Sequence, residues 1–192
     1  MILSILTPTI PGREKQLHAL QTRIEVQSSA LKSSGQVEHL VLSDNRTRSI
    51  GAKRQALLDI ARGQYIAFVD DDDDISDNYV TELLAAAASG ADVITFLQAA
   101  SYNGLESTVN FRLGQGDHAY EPDGITNRDA WHVNAWRRRR VAHCQFGESN
   151  YGEDLIWCQQ ARRMAETTVH IPKILHFYRH DVLTTAAPEP VR

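Results

Sequence analysis

Gly63-Gln-Tyr-Ile-Ala-Phe-Val-Asp-Asp-Asp-Asp-Asp-Ile-Ser76 is the stretch that decides how this chain is read. Tyr65 to Val69 is a short apolar run with the length and the aromatic and β-branched content of a buried strand. It ends abruptly in five carboxylates, Asp70 to Asp74. A run of like charges is ordinarily a solvated loop. Here a buried strand delivers the acids at its C-terminal end, where open α/β sheets bind their ligands. Crowded carboxylates repel one another, and a hard divalent cation such as Mg²⁺ relieves that repulsion through oxygen ligands often shared with substrate phosphates.

Outward from this stretch, the preceding residues alternate between strand and helix patterns. Ile2 to Thr7 reads as a strand, and Pro8 to Gly12 as a loop rich in breakers. Leu17, Leu20, Ile24, Gln27 and Leu31 keep helical spacing, which predicts a helix from Glu14 to about Ser33. Val37 to Ser43 is a second strand. Ser49 can cap a helix from Ile50 to Ala61, and Gly63 suits its end. After the acids, Ser76 or Asp77 is expected to cap a third helix reaching Ser89, and Ala91 to Leu97 to form a fourth strand. This order predicts an α/β fold with a parallel, doubly wound sheet. Beyond Ala100 the pattern changes. Ser101 to Gly116 reads as a hairpin around Asn103-Gly104, and Trp131 to Trp136 as a short strand. Arg137 to Arg140 is a basic run. Gly152 to Ala165 reads as a helix capped by Asn150. Two short strands flank Pro172, and a loose tail follows Thr184.

At 192 residues the chain fits one domain, and a net charge of −4 rules out a strongly basic protein. Five of the 24 acids lie in the single run, so the remainder is nearly balanced. Cys144 and Cys158 are too few and too far apart for a zinc motif and are expected as reduced thiols in a cytoplasmic protein. The N-terminus lacks the basic region of a signal peptide, and no stretch reaches the roughly 20 apolar residues that span a bilayer.

Three further features converge on the acidic strand end. Asp44 closes the second strand on the same sheet edge, where a carboxylate can accept from a nucleobase N–H or a ribose hydroxyl, or simply form an Asp-Asn turn. Arg54 falls inside the apolar stripe of its helix, where an unpaired charge is expensive, so it is expected to meet a carboxylate or a diphosphate. Glu153 and Asp154 occupy the first turn of a helix. The macrodipole favours their charged form there, and one of them can serve as a general base.

Together these residues resemble the family 2 glycosyltransferases, the nucleotide-sugar enzymes of the GT-A fold. The resemblance runs from Ile2 to about Arg179. It is most specific in Ser43 to Arg54, in Tyr65 to Asp73 and on to Tyr79. The family's pattern Asp-x-Asp-Asp-x-x-x-Pro-x-Tyr is met by Asp70, Asp72, Asp73 and Tyr79, with Asp77 in place of proline. Gly152 to Trp157 is similar to its second acidic motif. The resemblance implies one Rossmann-like GT-A domain over residues 1–192, with a mostly parallel sheet and helices on both faces. Residues 1–100 would form the nucleotide-sugar half, 101–183 a smaller acceptor half, and 184–192 the tail. It implies that Asp44, Thr7 and Thr9 line the base pocket and that Asp70, with Asp71 beside it, contacts ribose or metal-bound water. Asp72 would be the direct Mn²⁺ or Mg²⁺ ligand, with His176 or His180 near the metal or the diphosphate. Arg54 would support the diphosphate, and Asp154 would be the catalytic base, with Glu153 as the alternate.

The implied reaction is metal-dependent, inverting transfer from a nucleoside-diphosphate sugar, expected to be UDP-linked, to an acceptor hydroxyl. Between the acidic motifs, Trp131, His132, Trp136, Arg138 and Arg139 are expected on the acceptor side, since aromatics stack on sugars or bases and arginines suit phosphate. Two acceptors fit: a glycan or lipid-linked glycan, and DNA carrying hydroxymethylated bases. A nucleotide-sugar-binding module without turnover is a further alternative, as is a nucleotidyltransferase, although no Gly-rich phosphate loop follows the first strand.

Overall fold

A computed structural model of the protein describes residues 1–31, 35–116 and 124–180. The expected loose tail and residues 117–123 and 181–183 of the expected acceptor half lie outside the described residues.

Three strands, β1 (Leu3–Thr9), β2 (Val37–Ser43) and β3 (Tyr65–Phe68), run parallel in the order β2-β1-β3. Helices α1 (Glu14–Ser29), α2 (Ile50–Ile60) and α3 (Tyr79–Ala87) alternate with them. The period-2 alternation of β3 divides the core between the two faces of the sheet. Tyr65, Ala67 and Val69 pack with Leu20 and Ile24 of α1 and Val80 and Leu83 of α3. Ile66 and Phe68 pack on the other face with Leu57 and Leu58 of α2, with Val141 of the one-turn α4 (Arg138–Val141) and with Trp157, Cys158 and Ala161 of α5 (Glu153–Met164). A strand covered on both faces has no wet side, which is why its sequence is an unbroken apolar run.

The expected fourth strand is longer than its sequence pattern and is not the neighbour of β3. β5 spans Val93–Tyr102, and the three-residue β8 (Ala135–Arg137) lies between it and β3, antiparallel to both. β5 continues into β6 (Leu105–Arg112) through a two-residue turn. Asn103 and Gly104 both have positive φ, 52° and 82°, the backbone that a twisted hairpin demands. A short parallel strand, β7 (Ile125–Asp129), extends β6 outward. A separate small core of Ala100, Val109, Phe111 and Val133 underlies this subregion. The last strand is one element rather than two. β9 (Thr168–His180) runs parallel to β5 and absorbs Pro172 in an irregular register. It also pairs with the two-residue β4 (Asp74–Ile75), so the end of the acidic run is fixed by backbone bonds to Phe177 and His176.

Two helix starts are capped from elsewhere in the chain. Ser49 caps α2 as expected, accepting from Ala52 N–H. Asn150, expected to cap its own helix, instead accepts from Ile50 N–H of α2, and α5 begins after Gly152 in the left-handed region, φ 75°. At α3 neither Ser76 nor Asp77 is the N-cap. Gln27 of α1 accepts from Val80 N–H and donates to Ser76 O, which is why a glutamine sits on the buried face of α1. Among the described residues, no helix is long and apolar enough to cross a membrane.

Candidate active site

The five acids at the end of β3 do not share one environment. Asp70 accepts from Arg54 Nη2 at 2.7 and 2.9 Å. Asp71 is buried, with one oxygen 2.6 Å from Thr9 Oγ1 and the other 2.6 Å from Arg13 Nη1. Asp72 is the most open of the first four, with 41% of its side chain exposed, and its Oδ2 lies 2.8 Å from the same Arg13 nitrogen. Asp73 is turned inward, 3.3 Å from Nε2 of the fully buried His176, whose Nδ1 pairs with Gln98. Asp74 faces Arg23 at 3.0 Å. Burial and the adjacent carboxylates raise the pKa of Asp70, with Arg54 opposing. Burial and the neighbouring Asp73 likewise raise that of Asp72.

Arg54 joins this edge to the second acidic motif. Its side chain is only 3% exposed, and it lies over the Phe68 ring at 5.9 Å. Nη2 holds Asp70, while Nη1 faces Glu153 at 3.7 Å without forming a hydrogen bond. Glu153 is buried, and burial raises its pKa against the pull of Arg54. Asp154, the next residue, is turned toward Trp131 and His132 and is 24% exposed. Trp131 Nε1 donates to Asp154 Oδ2 at 3.1 Å, and the indole is flanked by the guanidinium groups of Arg128 and Arg162 at 4.4 and 5.0 Å. His132 Nδ1 lies 3.5 Å from the same oxygen. Burial, reinforced by the charge of Arg54, lowers the pKa of His132 well below its usual value, so the imidazole is neutral.

On the β1–β2 side, Asp44 is held from both ends. Oδ1 accepts from Lys53 Nζ at 3.0 Å, and Oδ2 accepts from the backbone N–H groups of Thr47 and Arg48. Burial raises its pKa, but these bonds outweigh burial and leave it below the ordinary value. Lys53 also donates to Thr9 O, tying the end of β1 to α2. Thr7 is fully buried, with its hydroxyl on Val69 O and His39 Nε2. Sequence reasoning missed Lys53 and Arg13. Lys53 carried a signal, since it sits four residues before Leu57 on the buried face of α2.

Four expectations are corrected. Trp136 lies in the core with no exposure, its Nε1 donating to Trp131 O, and presents no surface to an acceptor. Arg138 and Arg139 are at the wrong edge of the sheet. β8 runs antiparallel to β3 with Arg137 opposite Tyr65, so the basic run emerges at the start of β3, about 17 Å from Asp70 at roughly 3.3 Å per residue. There Arg138 donates to Gly63 O, Arg137 to Gly90 O and Arg140 to Asp92, so these three arginines close the N-terminal edge. The DNA acceptor, which rested on this run, loses its support. His180 lies beside Tyr102 near the hairpin end, with ring centroids 6.0 Å apart, whereas His176 is the histidine at the acidic run.

The donor set suits a divalent cation held partly by a ligand. Among the described residues no three acidic, histidine or cysteine side chains converge on one point. Mg²⁺ and Mn²⁺ take oxygen ligands, and Mg²⁺ is typically held by one or two carboxylates plus substrate phosphates. Asp72, open and with a raised pKa, fits that pattern.

The model of glycosyl transferase family 2 matches residues 24–146, which include Asp44, Arg54 and the acidic run. EpsH of Bacillus subtilis (strain 168), assigned as a glycosyltransferase, is 24% identical over 187 residues, covering 87% of this chain and 54% of EpsH. The chain thus spans about half the length of that relative. Among solved structures, S. aureus TarS 1-349 in complex with UDP-GlcNAc superposes with a TM-score of 0.70 at 15% identity, over 99% of this chain and 62% of that one. TarS 1-349 with UDP superposes with a TM-score of 0.69 at 15% identity, over 94% and 61%. These likenesses establish the shared fold, a mixed α/β domain with a mostly parallel sheet. With the family model spanning well over half of its length, the chain belongs to glycosyl transferase family 2.

Proposed function

We propose that the protein transfers a sugar from a UDP-linked donor to a hydroxyl of a glycan or lipid-linked glycan, in one displacement with inversion at the anomeric carbon. The observation that carries this reading is Arg54. It bonds Asp70 and faces Glu153, so acidic motifs some 80 residues apart meet at the C-terminal edge of one sheet. The donor assignment is supported by the family and by the UDP-GlcNAc bound to the structural neighbour TarS.

In this reading Asp44, Lys53 and the end of β1 border the nucleoside, and Asp70 and Asp72 face the ribose and diphosphate. A Mg²⁺ or Mn²⁺ ion on Asp72, when bound, supplies Lewis-acid neutralisation of the departing diphosphate. Asp154 accepts the proton of the acceptor hydroxyl as its oxygen attacks the anomeric carbon, and the bond from that carbon to the diphosphate oxygen breaks. Trp131 holds Oδ2 of the base in place by donating its indole N–H. Glu153, directed at Arg54, supports the floor of the cleft and is the less accessible of the two acids.

The test is a panel of nucleotide sugars, each incubated with and without Mn²⁺ and followed by nucleoside-diphosphate release and by thermal stabilisation. UDP release that requires Mn²⁺ and vanishes in Asp72→Asn is the expected result. Full activity in excess chelator would remove the metal assignment, and stabilisation without turnover on any acceptor would favour a binding module.

A further inference from the structure

Arg13 has no part in the roles assigned so far, yet it pairs with two carboxylates of the acidic run. One nitrogen, Nη1, lies 2.6 Å from Asp71 Oδ1 and 2.8 Å from Asp72 Oδ2. The two carboxylates differ in what this contact means for them. Asp71 is committed to the fold, being buried with its other oxygen on Thr9. Asp72 is open, with 41% of its side chain exposed, and is the carboxylate suited to a cation. A guanidinium bonded to Asp72 Oδ2 occupies a lone pair of that oxygen and offsets part of the negative charge that attracts a divalent ion. The two cations also repel each other, so a metal ion arriving at Asp72, whether on Oδ2 or on Oδ1, weakens the contact with Arg13.

Arg13 is placed to move. It lies between the breaker-rich loop that ends in Gly12, φ 94°, and the first turn of α1. Its side chain is 23% exposed, so it borders the cleft rather than the core. A guanidinium released beside a metal-bound diphosphate has an anion within reach of its planar fork.

We infer that Arg13 is a donor-binding residue held in reserve: it is the counterion of Asp72 while the cleft is empty, and it passes to the donor's diphosphate when a divalent cation takes Asp72. This rests on the reading of the cleft as a nucleotide-sugar site. The exchange couples the two ligands, because the cation competes with Arg13 for the charge of Asp72 and the diphosphate rewards its release.

The test measures Mn²⁺ binding by electron paramagnetic resonance and UDP binding by calorimetry, on wild type, Arg13→Gln and Arg13→Lys. Arg13→Gln is expected to bind Mn²⁺ alone about tenfold more tightly, and UDP at saturating Mn²⁺ about tenfold more weakly, the scale of one charge-assisted bond at a half-exposed site. Arg13→Lys, which keeps the charge and the buried partner of Asp71 but loses the fork, should fall between on both measures and guards against misfolding of the glutamine variant. If wild type binds Mn²⁺ and UDP and both variants match it, the inference is overturned and the proposed function stands. If UDP binds but Mn²⁺ binds to none of the three, the inference falls with the metal assignment alone. If neither ligand binds, the nucleotide-sugar reading itself is overturned.

Discussion

Replacing Arg54 with methionine removes the guanidinium that links the two acidic motifs while keeping much of the side-chain volume. Deleting one partner of a buried ion pair costs roughly 3–5 kcal/mol, because the other charge is left uncompensated. Asp70 keeps 24% side-chain exposure and Glu153 is 3.7 Å away, so water and distance reduce the loss to the lower end, about 3 kcal/mol near pH 8. For a chain of this size that corresponds to a fall in Tm of about 6–12 °C. The pH dependence has a definite sign. Burial already raises the pKa of both carboxyl groups, and removing Arg54 raises them further. A carboxyl whose folded pKa exceeds its unfolded one binds its proton more tightly in the native state. Stability is therefore retained below about pH 4 and lost as pH rises through the folded pKa. The penalty should be largest near pH 8 and shrink toward about pH 5. Urea unfolding of wild type, Arg54→Met and the double variant Arg54→Met/Asp70→Asn at both pH values measures it. The double variant should recover at least about 1 kcal/mol by removing the stranded charge. A penalty that ignores pH, or no recovery in the double variant, would refute the ion-pair account.

Asp154→Asn should lower kcat on the order of a hundredfold with UDP-sugar affinity unchanged in calorimetry; a larger loss in Glu153→Gln would exchange the two roles. Asp92 tests the opposite edge of the sheet. Burial raises its pKa, but bonds from Arg140 and from the backbone N–H groups of Glu166 and Thr167 outweigh burial and hold it at about 2. Its stabilisation is thus present above about pH 4 and lost as pH falls toward 2, and Asp92→Asn should cost about 2 kcal/mol at neutral pH and flatten the acid limb of the stability curve. Gly51→Ala would place a Cβ 1.8 Å from Gly147 O and 3.0 Å from Glu153 Cβ, so it should destabilise by about 1–3 kcal/mol despite the better helix propensity of alanine. An unchanged urea midpoint would show that the helix is free to shift there.

The first hundred residues were legible because their signals are local. The apolar run of β3, the spacing of Leu20 and Ile24, and Ser49 before α2 each specify an element without reference to the rest of the chain. Arg54 was legible for the same reason: a charge inside an apolar stripe demands a partner, and that partner is Asp70. What the sequence hid is set by pairing at a distance. β8 is three residues long and owes its place to strands on either side, so nothing local announces it. Its antiparallel direction carries Arg138 and Arg139 away from the cleft, and Arg138 to the Gly63 carbonyl that it satisfies. Four consecutive arginines look the same in sequence whether they await phosphate or close a sheet edge. The caps were hidden in a related way, since Asn150 and Gln27 each bond the start of a helix other than the one that their place in the sequence suggests.

Those exchanged caps bear on the chemistry. An in-line displacement needs the base and the diphosphate on opposite sides of the anomeric carbon, and a misplacement of about 1 Å can cost on the order of a hundredfold in rate. The proposed base, Asp154, stands at the start of α5 and the acidic run at the end of β3, on different elements. α2 touches both. Arg54 bonds Asp70 on one side and faces Glu153 on the other. One turn earlier, Ile50 N–H donates to Asn150 Oδ1 at 2.9 Å and Gly51 N–H to Ser149 O at 3.2 Å, fixing the loop that leads into Gly152 and the base. Gly51 has no side chain because the Gly147 carbonyl occupies that space. The helix thus sets the spacing between the two halves of the proposed reaction, and its buried, incompletely bonded arginine is the cost of that spacing.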